Sequence, residues 1–237
     1  MLIFPTPKLS PLTGMVGYGG GATGLINHSA TAKYSLFFED ENDYISTTDA
    51  SDHAPGTGDY TFEAWMKFVN GPNQCTLMTG SGGMQLRWTS DTVSRTENIN
   101  SAFIVTTNAT TWNNNTWYHY AVCRSGTSER IFQNGTEIGS ATTSQNWNIT
   151  SPMKVGQNYN GASHNGYYLH SGRFDVGIAH YTGNFTPPSD TLAVTNNTIS
   201  LIGTTATANE HFEGGGSSDV SWSSNGDVTT VEDHPWA

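Results

Sequence analysis

Charged residues are scarce in this chain. Only 12% of its 237 residues are Asp, Glu, Lys or Arg, about half the share found in an average globular protein. Solubility must therefore rest on Ser, Thr, Asn and Gly. Positive charge is scarcer still: Lys and Arg together number 9 against 20 Asp and Glu, a formal net charge of −11. A surface so biased repels nucleic acid and anionic membrane, and both are excluded as partners. No apolar run approaches the roughly 20 residues of a spanning helix, so membrane insertion is not expected. The opening residues lack the basic and apolar regions of an export signal, and Pro5, Pro7 and Pro11 would break a helix there. Cysteine is limited to Cys75 and Cys123; two buried thiols and one disulfide both remain open readings. Segments of helical period are missing as well. Asn and Ser compete with the helical backbone, Thr is β-branched, and 26 glycines favour turns. The expectation is an all-β chain.

What the chain does have is alternation. Tyr60–Phe68 places Tyr60, Phe62, Ala64, Met66 and Phe68 on one face, and Thr61, Glu63, Trp65 and Lys67 on the other. Strands are also expected over 35–38, 44–47, 75–79, 83–88, 102–107, 153–156, 172–180 and 198–203. The strongest signal is a hairpin region over 117–141, where Asn134-Gly135 stands between apolar-alternating flanks. Both residues tolerate the positive φ of a type I′ turn. Residues 1–33 read as an extended Gly/Pro-rich arm. Its Leu2, Ile3, Phe4, Met15 and Val16 would contact a partner, since such a tract cannot build its own core. Residues 34–190 read as one β domain. Residues 191–237 read as a strand-containing tail that completes the sheet or reaches a neighbour.

The order and spacing of these pieces resemble a known family. Ser35-Leu36-Phe37-Phe38 with Asp43-Tyr44-Ile45, the strand Thr61–Trp65, Trp117–Val122 followed by Phe132–Thr136, then Val155-Gly156 and Gly172–Ile178, are similar to the laminin-G-like branch of the concanavalin A-like lectin/glucanase superfamily. That resemblance implies a two-sheet antiparallel jelly-roll sandwich, with Trp65 and Trp117 in its core. Tyr181–Pro188 and Gly19–Gly24 further resemble domains carried by virion proteins of tailed phages. This second likeness implies a non-enzymatic structural protein of a particle, a capsid decoration or fibre component. It would be located on the virion, contact other virion proteins and assemble with copies of itself. The alternative is a lectin-like module that binds surface glycans.

The residue pattern argues against catalysis. Glucanase relatives carry paired carboxylates in a pattern similar to Glu-x-Asp-x-x-Glu on a central strand. Here Glu41-Asn42-Asp43 falls in an early turn with Ser46 at the last position, and Glu63 stands alone. There is no nucleophile elbow, and the 8 histidines lack metal-ligand spacing. No catalytic residue is assigned. His119 reads as a satisfied histidine of a half-buried strand. No cofactor is expected except a structural calcium, which the resemblance implies; Asp40, Asp43 and Asp175 are its candidate ligands. For sugars, Trp147, Tyr159, Asn160, Tyr167 and Tyr168 are the candidate contacts, as aromatics and amides of loops or strand ends.

Overall fold

The computed structural model describes residues 33–47, 51–80, 83–98, 102–149, 152–158, 161, 166–204, 212–213 and 222–237. The proposed partner contacts Leu2, Ile3, Phe4, Met15 and Val16 lie outside these residues. Among the described residues the chain forms two antiparallel sheets, and its one helical element is a short 3-10 turn at Ser51–His53. Strands are numbered in chain order. The nine-stranded sheet runs β10 (Thr136–Thr142), β9 (Ser128–Gln133), β8 (Trp117–Ser125), β3 (Tyr60–Phe68), β12 (Tyr167–Val176), β1 (Tyr34–Phe38), β16 (Thr229–Glu232). In addition β13 (Thr198–Ile202) pairs with β12, and β14 (Phe212–Glu213) with β13. The seven-stranded sheet runs β15 (Trp222–Asn225), β2 (Tyr44–Thr47), β11 (Met153–Val155), β4 (Thr76–Gly80), β5 (Met84–Trp88), β6 (Ser94–Asn98), β7 (Ala102–Thr106). This is the two-layer sandwich the alternation predicts.

The central strands bury one face each. Tyr60, Phe62, Ala64, Met66 and Phe68 of β3 meet Leu36, Ile45, Met78, Leu86 and Val155 in one core. Between β9 and β10, Asn134 and Gly135 have φ of 48° and 75°, the type I′ hairpin expected of Asn-Gly. On β12 the pairing with β3 shifts between His170 and Arg173, and Ser171 has φ 53°. That bulge divides the other edge of β12 in two. Residues 167–169 pair with β1, and residues 172–175 pair with β13. The last strands return to both sheets, β16 to β1 and β15 to β2.

Three differences from the sequence reading have physical causes. Strand β6, Ser-Arg-Thr-Glu-Asn, is too polar to announce itself, because its outward residues are charged or amide. Strand β12 starts at Tyr167 and stops at Val176, since Gly177 turns with φ 88°. The tryptophans exchange places. Trp65 and Trp117, expected in the core, are half-buried on the outer face, because alternation commits that face to Glu63 and His119. Trp147, expected in a loop or at a strand end, is buried, as are Trp88 and Trp112. Trp88 and Trp112 pack edge-on to each other and to Phe68.

Both cysteines are free and buried. Burial raises the Cys75 thiol well above its ordinary value. It pushes Cys123 up to about 12, against a hydrogen bond to Thr61 Oγ1. A thiolate is the nucleophile, so neither residue should react with a thiol reagent before the chain unfolds. Ellman titration should find both thiols in urea and neither in native buffer. Native labelling of either would contradict the packing.

Candidate functional site

The outer face of the seven-stranded sheet collects polar side chains in register. Because side chains alternate, Ile45, Val155, Met78, Leu86, Thr96 and Val105 point inward and their neighbours point out. The pairings Ser223–Ser46–Lys154–Thr79–Gln85–Glu97–Phe103 form one continuous cross-strand row. Beside it, Arg87 pairs with Thr76 on one side and Arg95 on the other. Arg87 Nε lies 2.7 Å from Glu97 Oε1. Arg95 donates to Thr89 Oγ1 at 2.8 Å, and its guanidinium stands 4.1 Å from the Phe103 ring centroid. Lys154 Nζ donates to Gln157 Oε1 at 2.7 Å and lies 4.4 Å from the Tyr44 ring centroid. Phe103 is 63% exposed, the most exposed large apolar side chain among the described residues.

This face is unfinished in hydrogen-bonding terms. Thr79 and Gln85 are only 2% and 1% exposed, yet Thr79 Oγ1 and Gln85 Oε1 have no hydrogen-bond partner among the described residues. The same holds for Glu97 Oε2 and Arg95 Nε. A buried polar atom left unpaired costs roughly 1–3 kcal/mol. These four atoms are closed off from solvent, so what the face presents to a ligand is the half-buried Arg87, Arg95 and Lys154 with the Phe103 and Tyr44 rings. Burial also lowers the pKa of Arg95 and of Lys154. The sequence reading missed this face because it sought exposed aromatics. The available signal was Met84-Gln85-Leu86-Arg87-Trp88, whose period of two alternates core residues with ligand-capable ones.

The outer face of the nine-stranded sheet is instead closed by the chain itself. Glu63, fully buried, pairs with Arg173, lies 3.1 Å from His119 Nε2, and accepts from Tyr181 OH at 2.8 Å. Burial works to raise the Glu63 pKa. It is outweighed by the His119 hydrogen bond and the Arg173 charge, which hold the carboxyl at about 2. Asp175 pairs with His180 and with Arg173. Ala179, Tyr181 and Phe185 pack over Ala121, Cys123 and Phe132, with the Tyr181 and Phe185 rings stacked at 3.5 Å. Trp236 covers Trp65 and His170 edge-on at 5.8 and 5.2 Å. His119 is buried and bonds Glu63 through Nε2, while its Nδ1 has no hydrogen-bond partner among the described residues, so only one of its two ring nitrogens is satisfied.

Among the described residues, the proposed sugar contacts Trp147, Tyr167 and Tyr168 do not come together. Trp147 is fully buried, bridged to Gly56 through the backbone, with its indole N–H directed at Glu129 Oε2, so it offers no platform. Tyr167 is also buried, stacked on Phe38 at 5.0 Å, because it occupies an inward position of β12. Tyr168, one residue on, is half-buried on the outer face of the nine-stranded sheet, against Phe37 and beneath Lys67. Tyr159 and Asn160 lie outside the described residues. Of the calcium candidates, Asp40 and Asp43 share one turn, where the Asp43 N–H donates to the Asp40 carbonyl at 3.1 Å, and Asp175 stands apart on β12. Asp43 accepts backbone N–H bonds from Glu39 and Asp227 at 2.8 and 2.6 Å, and Asp40 accepts one from Asn42 at 2.8 Å. Asp175 faces Arg173 and His180. Among the described residues no group of three acidic, histidine or cysteine side chains is placed to hold a metal ion.

Comparison with known proteins follows the fold. Residues 39–173 match the laminin G-type model of the concanavalin A-like lectin/glucanase superfamily. A Bacteroides ovatus protein assigned a carbohydrate-binding role superposes with a TM-score of 0.50 at 16% identity, over 84% of this chain. The chain spans 60% of that protein's length. A heptameric SAP-like pentraxin of Limulus polyphemus superposes with a TM-score of 0.51 at 12% identity, over 87% of this chain and 98% of its own. Comparison with curated protein sequences gives no match. At such identities the superpositions speak for the fold, and the model match covers more than half of the chain. On that match the chain belongs to the concanavalin A-like lectin/glucanase superfamily.

Proposed function

We propose that this chain is a glycan-binding module whose binding surface is the outer face of the seven-stranded sheet. The observation that carries the reading is the row Lys154–Thr79–Gln85–Glu97–Phe103 with the half-buried Arg87 and Arg95 beside it, which sets hydrogen-bonding side chains next to an exposed ring. Sugar recognition needs a ring for stacking and a few fixed hydrogen-bonding groups to orient hydroxyls. The carbohydrate-binding role assigned to the Bacteroides ovatus protein supports the same reading. The face binds rather than hydrolyses. Glu97 is its one carboxylate among the described strands, and its pairing with Arg87 removes it from acid–base work that needs two. The virion role rests on likeness of motifs and on residues 1–33, and no described contact favours it over sugar binding. Among the described residues, no helix is long and apolar enough to cross a membrane.

Phe103→Ala should abolish glycan-array binding and shift the unfolding temperature little, because the ring is 63% exposed. A blank array for the native chain would sink the proposal, as would undiminished binding by Phe103→Ala.

A further inference from the structure

Residues 233–237 lie across the outer face of the nine-stranded sheet as a strap. Asp233 anchors it, pairing with Lys67 and accepting from Trp117 Nε1 at 3.3 Å. The Lys67 ammonium so held stands 4.3 Å from the Tyr168 ring centroid and 5.1 Å from that of Trp117. Three residues on, the Trp236 ring covers Trp65 and His170. Between these two contacts the Trp236 N–H donates to His234 Nδ1 at 3.3 Å. Strand β16 ends at Glu232, so among the described residues no sheet ladder holds the strap down. His170 is the weak point beneath it. Its ring is buried, with Nδ1 2.7 Å from the Tyr34 carbonyl oxygen. A carbonyl can only accept, so Nδ1 carries the proton of the neutral ring. Nε2 is then a bare lone pair, buried and without a hydrogen-bond partner among the described residues. A proton arriving there would create a buried cation whose new N–H has no acceptor, a costly state. Water can reach that N–H once the strap lifts.

We infer that residues 233–237 form an acid-released strap, lifted from the sheet when His170 takes up a proton. Burial holds the His170 pKa at about 4, against an ordinary 6.5. The Tyr34 carbonyl, Asp190 and Asp233 work against that shift, and the His234 ring, 6.4 Å away on the strap, works with it. The remaining charges on this face are spent elsewhere. Lys67 of β3 is tied to Asp233, Glu63 and Arg173 pair with each other, and Glu232 of β16 stands across from Tyr34. From β3 and β8 the ring meets the neutral side chains of Trp65 and Trp117. A folded pKa lowered in this way supports the closed strap fully above about pH 6.5, and the support is lost as pH falls toward 4. His234 acts in the same direction, since a proton on its Nδ1 would remove the acceptor of the Trp236 N–H. Release bares Trp65, Trp117 and Tyr168 on one face. It also frees two donors now spent on Asp233, Lys67 Nζ and Trp117 Nε1.

NMR of the full chain tests this on two groups. Hydrogen exchange of the Trp117 indole N–H, which bonds Asp233, reads strap opening once corrected for the intrinsic rate at each pH. Its protection should fall about 30-fold between about pH 7.5 and about pH 5, the ratio required by a His170 pKa of about 4 closed and 6.5 open. His170→Asn keeps an N–H for the Tyr34 carbonyl but takes up no proton, so its protection should stay within about threefold over that range. The His170 ring itself should titrate near 4 in the native chain and move toward 6.5 in Trp236→Ala, where the cover is gone. Constant protection across the range in the native chain overturns the inference. So does an equal fall in His170→Asn, because another group would then drive the release. A His170 titration unmoved by Trp236→Ala overturns it as well, and that measurement stands even if His170→Asn does not fold.

Discussion

Glu63→Leu is expected to destabilise the fold by about 3–5 kcal/mol, because removing one member of a buried ionic cluster leaves the others uncompensated. Glu63 projects from β3 opposite the core residues Phe62 and Ala64, and three elements converge on it. His119 comes from β8, Arg173 from β12, and Tyr181 from the segment that closes the face. Without the carboxylate, Arg173 keeps only Asp175 and the Ala193 carbonyl, and the Tyr181 hydroxyl loses its acceptor. Glu63→Gln retains an acceptor without the charge and should fall between the two. Urea unfolding measures all three chains, and a loss below about 1 kcal/mol for Glu63→Leu would mean the cluster is not coupled. The same residue gives the chain an acid limb. The Glu63 pKa is about 2 in the fold against an ordinary 4.5. A depressed folded pKa stabilises above the unfolded value, so this contribution is complete above about pH 4.5 and is lost as pH falls toward 2. It is worth about 3 kcal/mol, and Glu63→Gln should flatten that limb.

The architecture was readable in the sequence wherever one face of a strand is apolar. Strand β3 alternates without a break, Asn134-Gly135 fixes a hairpin, and both features depend on local chemistry that survives in any context. What alternation cannot say is what lies against the second face. Trp65 and Trp117 sit on the polar side of their strands, so their half-burial follows from the pattern, and only family likeness placed them in the core. Trp147 was the reverse case. Flanked by Asn146 and Asn148, it reads as a loop aromatic, yet the bridge to Gly56 turns it inward onto Glu129. The proposed binding face was illegible for a related reason. Gln85, Arg87, Arg95 and Glu97 come from strands that neither form a motif nor look like a site until registration aligns them. The cover over Glu63 was hidden too, because Tyr181 and Phe185 lie more than a hundred residues beyond it in the chain.

That cover supplies the second large effect, through Gly135. The turn residue has φ 75°, which alone makes Gly135→Ala cost about 1 kcal/mol. A methyl group there would also run into the Phe185 carbonyl and approach Pro187 Cδ to 3.1 Å. The collision cannot relax locally. Phe185 N–H donates to the Gly135 carbonyl at 2.9 Å, and Asn184 Oδ1 accepts from Glu137 N–H at 2.9 Å, so the segment is pinned to the turn it would have to leave. Alanine at 135 should therefore cost about 3 kcal/mol or more, as strain and lost packing add. Gly126→Ala is the matched control. Gly126 has φ 58°, and a Cβ on it would meet nothing within 4 Å, so it should show the conformational cost alone. A second readout separates a displaced cover from a merely weakened hairpin. Phe185 packs on Ala121, Cys123 and Phe132, so lifting it should make Cys123 reactive in native buffer in Gly135→Ala and leave it silent in Gly126→Ala. Equal destabilisation of the two variants, with Cys123 silent in both, would show that Phe185 yields to the methyl group and that the turn does not hold the cover in place.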